Sequence, residues 1–183
     1  MQILQIGLAL FIGVHLLPMI APVKAGLQAK LGLSGYKAVF SVISLAGFAL
    51  IIWGMIVAPN VPVFEPPVWA KHLAFLLVPI ALILLAAANM KGRIRAKLRH
   101  PMMLGIFIWA GMHFIANGDL ASFWLFGSFF VYALVSLMAG FFGSSQVEFK
   151  VNPKHDFMAI IGGLVISLVF VFLHPVLFGV QLF

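Results

Sequence analysis

Apolar residues fill the chain in six blocks, near residues 2–21, 37–58, 70–89, 101–117, 121–143 and 157–180, separated by short polar or proline-rich stretches. Each block comes close to the roughly 20 residues that a helix needs to cross a bilayer core of about 30 Å. The pattern predicts an all-α fold, a polytopic membrane bundle of six transmembrane helices forming one domain over residues 1–183. The fourth block is the shortest, and Asn117-Gly118-Asp119 after it reads as a tight link into the fifth. Pro18 and Pro22 mark where the first helix distorts or ends. PNVPVFEPPVW, with four prolines from 59 to 67, predicts extended backbone in the longest outer loop. The first block has no Lys or Arg before Lys24, so it lacks the basic start of a signal peptide and reads as a retained span.

Composition agrees with the pattern: 64% of the residues are hydrophobic and 8% are charged. A soluble domain is nearer half apolar and a quarter charged. The absence of cysteine excludes disulfides, iron–sulfur clusters, thiolate-ligated haem and covalent haem attachment through C-x-x-C-H. The formal charge of +7 would suggest nucleic acid as a partner in a soluble protein, but the placement of the cations points elsewhere. Lys24, Lys30 and Lys37 fall between blocks one and two. Lys91, Arg93, Arg95, Lys97 and Arg99 fall between three and four, and Lys150 and Lys154 between five and six. Only Lys71 falls in an opposite loop. This asymmetry is a positive-inside signal, placing both termini on the non-cytoplasmic side, and the basic loops fit contact with anionic lipid.

The chemistry-bearing residues inside the blocks are histidines, and ionisable groups at membrane depth are candidates for function. His100 and His113 are thirteen residues apart, which on a helix is a rise of about 20 Å and a turn of roughly 220°. They therefore face different ways and cannot ligate one metal. His100 follows five cations and precedes Pro101, a residue suited to a helix start, so it reads as an interfacial group. His113 and His15 are the two deep histidines, each either hydrogen-bonded to a neighbouring helix or ligating a metal or haem. Counted from the outer face, His15 lies about 20 Å in and His113 about 10 Å in. Two imidazoles from facing helices are the usual way for a bundle to hold a b-type haem. His72, His155 and His174 come out near the membrane faces, with His174 in the apolar run FVFLHPVLF. The four acids, Glu65, Asp119, Glu148 and Asp156, all lie in loops or at helix ends, which argues against a proton-coupled transporter. Asp119 reads as a turn or helix-cap residue.

Several short motifs together resemble the NnrU family of bacterial membrane proteins, which also includes the plant 15-cis-zeta-carotene isomerase. They are F-I-G-V-H at 11–15, A-P-V-K at 21–24, G-x-x-G-Y-K at 32–37 with S-V-I-S-L following, and L-R-H-P-M-M-L-G, W-A-G-M-H and N-G-D-L-A-S within 98–122. H-P-V-L-F-G-V near the carboxy terminus is also similar to the family's ending. The resemblance implies a multi-pass protein of the bacterial cytoplasmic (inner) membrane. It further implies haem b with two axial histidines, the matching positions here being His15 and His113. Asn117, His100 and His174 are the candidates for side chains that would stand behind those ligands. Where the family often has serine after the first histidine, this chain has Leu16, which removes a hydroxyl beside the ligand. Two functions follow as expectations. One is redox-dependent cis–trans isomerisation of a hydrophobic polyene such as a carotenoid, with reduction freeing a coordination site on the iron. The other is a non-enzymatic membrane factor supporting a nitrite or nitric oxide reductase in denitrification.

Overall fold

The computed structural model describes residues 1–142 and 149–182. Glu148 and the end of the fifth block at 143 lie outside the described residues. The elements are α1 (Gln2–Leu16), a 3₁₀ turn (Leu17–Met19), α2 (Ala21–Ile56), α3 (Val68–Ala87), α4 (Arg93–Leu98), α5 (Pro101–Ala116), α6 (Leu120–Phe142) and α7 (Lys154–Phe178). Six of these helices coincide with the six apolar blocks. Five are long and apolar enough to cross a membrane by length and composition; α5, with 16 residues, is shorter. Its rise of about 24 Å falls short of a typical hydrocarbon core.

Two differences from the expected elements have local causes. The first block breaks at Pro18 into the 3₁₀ turn, and a new helix starts at Ala21 with Pro22 in its first turn. Proline lacks the N–H that a helix interior requires, yet costs nothing where that N–H has no intrahelical partner. The polar stretch expected to be a loop before residue 37 is therefore helical. It is set off from the span proper by Gly32, whose φ of 69° lies in the left-handed region. The second difference is α4, a six-residue basic helix inside the loop expected after block three.

Helix packing relies on small residues at close crossings, as in membrane bundles generally. Between α1 and α2, a Cβ on Gly54 would stand 2.5 Å from the Leu4 Cα, and one on Gly7 would stand 2.7 Å from the Ile51 nitrogen. Gly105 of α5 abuts the Ala81 carbonyl of α3, and Gly163 of α7 abuts the Ile83 backbone of α3. These pairs run antiparallel. α1 and α6 run parallel, with Leu4 clustered with Ala121, Phe11 beside Phe129, His15 beside Tyr132 and Met19 beside Ser136. Both termini, the 57–67 loop and the α5–α6 turn consequently share one end of the bundle. The ten cations of the basic stretches share the other, with Lys71 apart from them.

Each end is tied by backbone hydrogen bonds. At the end holding the termini, the Val63 and Phe64 N–H groups both donate to the Gly118 carbonyl, at 2.7 and 3.2 Å. Leu120 N–H donates to Val61 O at 2.8 Å. Asp119 Oδ1 accepts from Ser122 N–H at 2.9 Å, the cap expected of it. At the basic end, Asn152 N–H donates to Lys91 O at 2.8 Å, and the Asp156 carboxylate accepts from the Arg93 and Ile94 N–H groups at 2.9 and 3.0 Å.

Candidate functional site

The two deep histidines carry the same local device. His15 is one helical turn after Phe11, and its Nδ1 lies 2.6 Å from the Phe11 carbonyl oxygen. His113 is one turn after Trp109, and its Nδ1 lies 2.9 Å from the Trp109 carbonyl oxygen. A carbonyl oxygen only accepts, so Nδ1–H is the donor in both rings. That fixes the neutral tautomer with its lone pair on Nε2, the nitrogen that points away from its own helix backbone. A tethered Nδ1–H with an open Nε2 is the arrangement that metal-ligating histidines use, because the tether orients the ring and raises its basicity.

The surroundings of the two rings differ. His15 sits where α1, α2 and α6 meet, with ring centroids 4.3 Å from Phe11, 5.0 Å from Phe40 and 6.3 Å from Tyr132. Phe40 is the middle of a stripe at helical spacing, Tyr36–Phe40–Ser44, on one face of α2. The Tyr36 and Ser44 hydroxyls are buried and have no hydrogen-bond partner among the described residues. Buried hydroxyls without partners are rare in native proteins and call for an explanation, such as a bound group or water. Tyr132 also lines a cleft of about 330 Å³, together with Met19, Met103, Ser136, Ala139 and Gly140. The His113 ring packs against Trp109 at 5.3 Å and Phe126 of α6 at 4.8 Å.

The two histidines thus flank α6 but at different levels. Tyr132 and Phe126 are six residues apart, about 9 Å of helical rise. This reproduces the depth difference read from the sequence. Phe129 stands between the two stations, 5.7 Å from Phe11 and 5.9 Å from Trp109. The donor chemistry of both imidazoles fits axial ligation of a haem iron, and the unpartnered hydroxyls near His15 fit a polar group there.

The other candidates fall as follows. His100 is the residue just before α5, at its basic end, with its ring against Gly140, where a Cβ would stand 2.6 Å from Nε2. His100 and His113 are therefore at opposite ends of one helix, as their spacing required. Asn117 Nδ2 donates to the His113 backbone carbonyl at 2.8 Å, so it closes the end of α5 and touches no imidazole nitrogen. His174 lies in the last turns of α7, and its Nδ1–H donates to Val180 O at 3.1 Å. His72 is exposed at the start of α3. His155 and Asp156 serve the basic end. No cluster of three or more His, Cys, Asp or Glu able to hold a metal ion occurs among the described residues.

In the sequence, Phe40 and Tyr132 carry no signal of their own, and Tyr36 and Ser44 stand out only as members of the motif G-x-x-G-Y-K with S-V-I-S-L following. The i, i+4, i+8 spacing of Tyr36, Phe40 and Ser44 was visible, but nothing in one apolar block tells which of its faces meets His15.

Comparison with known proteins adds the family. The model of the family described as NnrU protein matches residues 3–182, nearly the whole chain, so the chain belongs to the NnrU family. No curated protein and no solved structure gave a match.

Proposed function

With NnrU membership as the premise, we propose that this polytopic membrane protein holds haem b through His15 and His113. In this reading it uses the cofactor for redox-dependent chemistry on a hydrophobic substrate, of the cis–trans isomerase kind that the motif resemblance implies. The observation that carries the reading is the repeated tether. Two deep imidazoles on two helices each commit Nδ1–H to the carbonyl one turn back and leave the Nε2 lone pair open. Bound haem would supply a redox-active iron. The chain would supply ring orientation through the Phe11 and Trp109 carbonyls. The aromatic walls of Phe40, Phe126 and Tyr132 would exclude water from the ligand nitrogens. Tyr36 and Ser44 would offer hydroxyl donors to a polar edge of whatever occupies the His15 side.

One absorption spectrum of the protein purified from haem-replete cells tests this, taken oxidised, reduced, and reduced with carbon monoxide. The expected result is a six-coordinate low-spin haem b signature that changes to five-coordinate in either His15→Ala or His113→Ala. Absence of a Soret band sinks the reading, and a spectrum indifferent to both substitutions moves the ligands elsewhere.

The 9 Å stagger, with Phe129 between the stations, favours a second reading in which both histidines are structural. The protein would then be a non-enzymatic membrane factor supporting nitrite or nitric oxide reduction. That reading predicts no haem and co-purification with such a reductase.

A further inference from the structure

The basic end carries a groove of about 420 Å³ lined by Lys91, Lys150, Val151, Asn152, Pro153 and His155. We propose that this groove binds the phosphodiester headgroup of an anionic phospholipid. The inference is independent of haem and of either functional reading.

The groove is held in shape from both sides. The α3–α4 loop and the start of α7 are clasped by Asn152 N–H to Lys91 O, Lys91 N–H to His155 Nδ1 at 2.9 Å, and the two amides on Asp156. The contact of Gly92 with Asp156 is so close that a Cβ on Gly92 would overlap the carboxylate.

The same clasp decides which donors face the groove. His155 Nδ1 accepts from Lys91 N–H, so its proton is on Nε2, leaving an N–H donor. Asn152 Oδ1 accepts from Lys154 N–H at 3.1 Å, so its amide N–H₂ is the part left for a ligand. Lys91 and Lys150 are exposed and line the groove with their chains. The acid at this place, Asp156, spends both oxygens on the Arg93 and Ile94 amides. Two ammonium groups, an imidazole N–H and an amide N–H₂ around one groove match a singly charged phosphodiester with two acceptor oxygens.

What selects a lipid over free phosphate is the surface next to the groove. Immediately beyond His155 and Asp156, α7 turns apolar and exposed, with Phe157 at 68%, Met158 at 55% and Ile161 at 45%. A cationic groove directly above an uncovered apolar helix face accepts a charged headgroup and its acyl chains together. Basic pockets at the ends of membrane helices bind anionic lipid headgroups on these grounds.

The test uses the full-length protein in mild detergent, with retained lipid counted by native mass spectrometry. Phosphatidylglycerol and phosphatidylcholine are offered in equal amounts. Wild type is expected to retain phosphatidylglycerol preferentially. Lys91→Gln with Lys150→Gln is expected to lower that retention roughly tenfold, because each lysine near an anionic surface makes a sizeable contribution. Only the Lys91 backbone takes part in the clasp, so this pair leaves the groove intact, which an unchanged thermal midpoint verifies. Lys24→Gln with Lys30→Gln removes the same charge from the same end and is expected to change retention by less than about twofold. Three results overturn the proposal: equal loss in the two double variants, no preference for phosphatidylglycerol, or displacement of the lipid by inorganic phosphate at equal concentration. The last would identify a soluble phosphate ligand instead.

Discussion

Adjacent glycines on α7 should respond to the same substitution with opposite signs. Gly162 and Gly163 are both helical, so alanine at either gains about 1 kcal/mol of helix propensity. At Gly162 a new Cβ meets nothing within 4 Å, and that gain should appear nearly whole. At Gly163 the new Cβ would lie 2.5 Å from the Ile83 Cα and 2.6 Å from its nitrogen. Ordinary contact begins near 3.4 Å, so α7 and α3 must part by about 0.9 Å, and a backbone cannot yield as a side-chain tip does. Overpacking of this kind costs about 1–3 kcal/mol. Net of propensity, Gly163→Ala should lose up to about 2 kcal/mol, leaving the two variants about 1–3 kcal/mol apart. Reversible unfolding by SDS titration from mixed micelles, followed by circular dichroism, reads the difference directly. Equal stabilities, or a stabilised Gly163→Ala, would refute the claim that backbone contact between α3 and α7 sets this crossing.

Three further outcomes are expected. Replacing Tyr36 by Phe, or Ser44 by Ala, should stabilise the ligand-free protein by about 1 kcal/mol, because each removes a buried hydroxyl with no partner; a lower thermal midpoint would mean that the hydroxyl has one. Asp119→Ala removes the cap on the Ser122 amide and should cost about 1 kcal/mol in the same unfolding assay. Asp156 is held below the ordinary aspartate pKa, first by the Ile94 amide, then by the Arg93 amide and the nearby positive charge of Arg93. A depressed folded-state pKa means that its stabilising contribution is complete above the unfolded aspartate value and is lost as pH falls through the folded one. The protection factors of the Arg93 and Ile94 amides, that is, their exchange relative to the intrinsic rate at each pH, should therefore be high at neutral pH and fall in acid, whereas in Asp156→Asn they should be low at neutral pH and vary far less with acidification.

The residues legible in advance were those whose behaviour is decided locally. Apolar blocks gave the positions of six helices, Pro18 and Pro22 gave the break after α1, and Asn117-Gly118-Asp119 gave the turn and its cap. The separation of His100 from His113 needed only helix geometry. What was hidden depended on partners distant in sequence. Residues 22–31 fall between two apolar blocks, yet Pro22 at a helix start and the left-handed freedom of Gly32 make them a helix with a defined end. The groove required Lys91 to meet His155, and α4 required Asp156 to bind amides 62 and 63 residues away. The stripe facing His15 needed the crossing of α1 with α2, which is set by Gly7 and Gly54.

The stagger of the two histidines has an electrical consequence. If α6 lies across the bilayer, the stations beside Tyr132 and Phe126 sit about 9 Å apart along the normal, close to a third of the hydrocarbon thickness. A charge crossing the whole membrane exchanges about 2.3 kcal/mol per 100 mV, so one moving between these stations would exchange roughly 0.7 kcal/mol. Any proton or electron passing from the His15 level to the His113 level would be electrogenic, and its equilibrium would shift with membrane voltage.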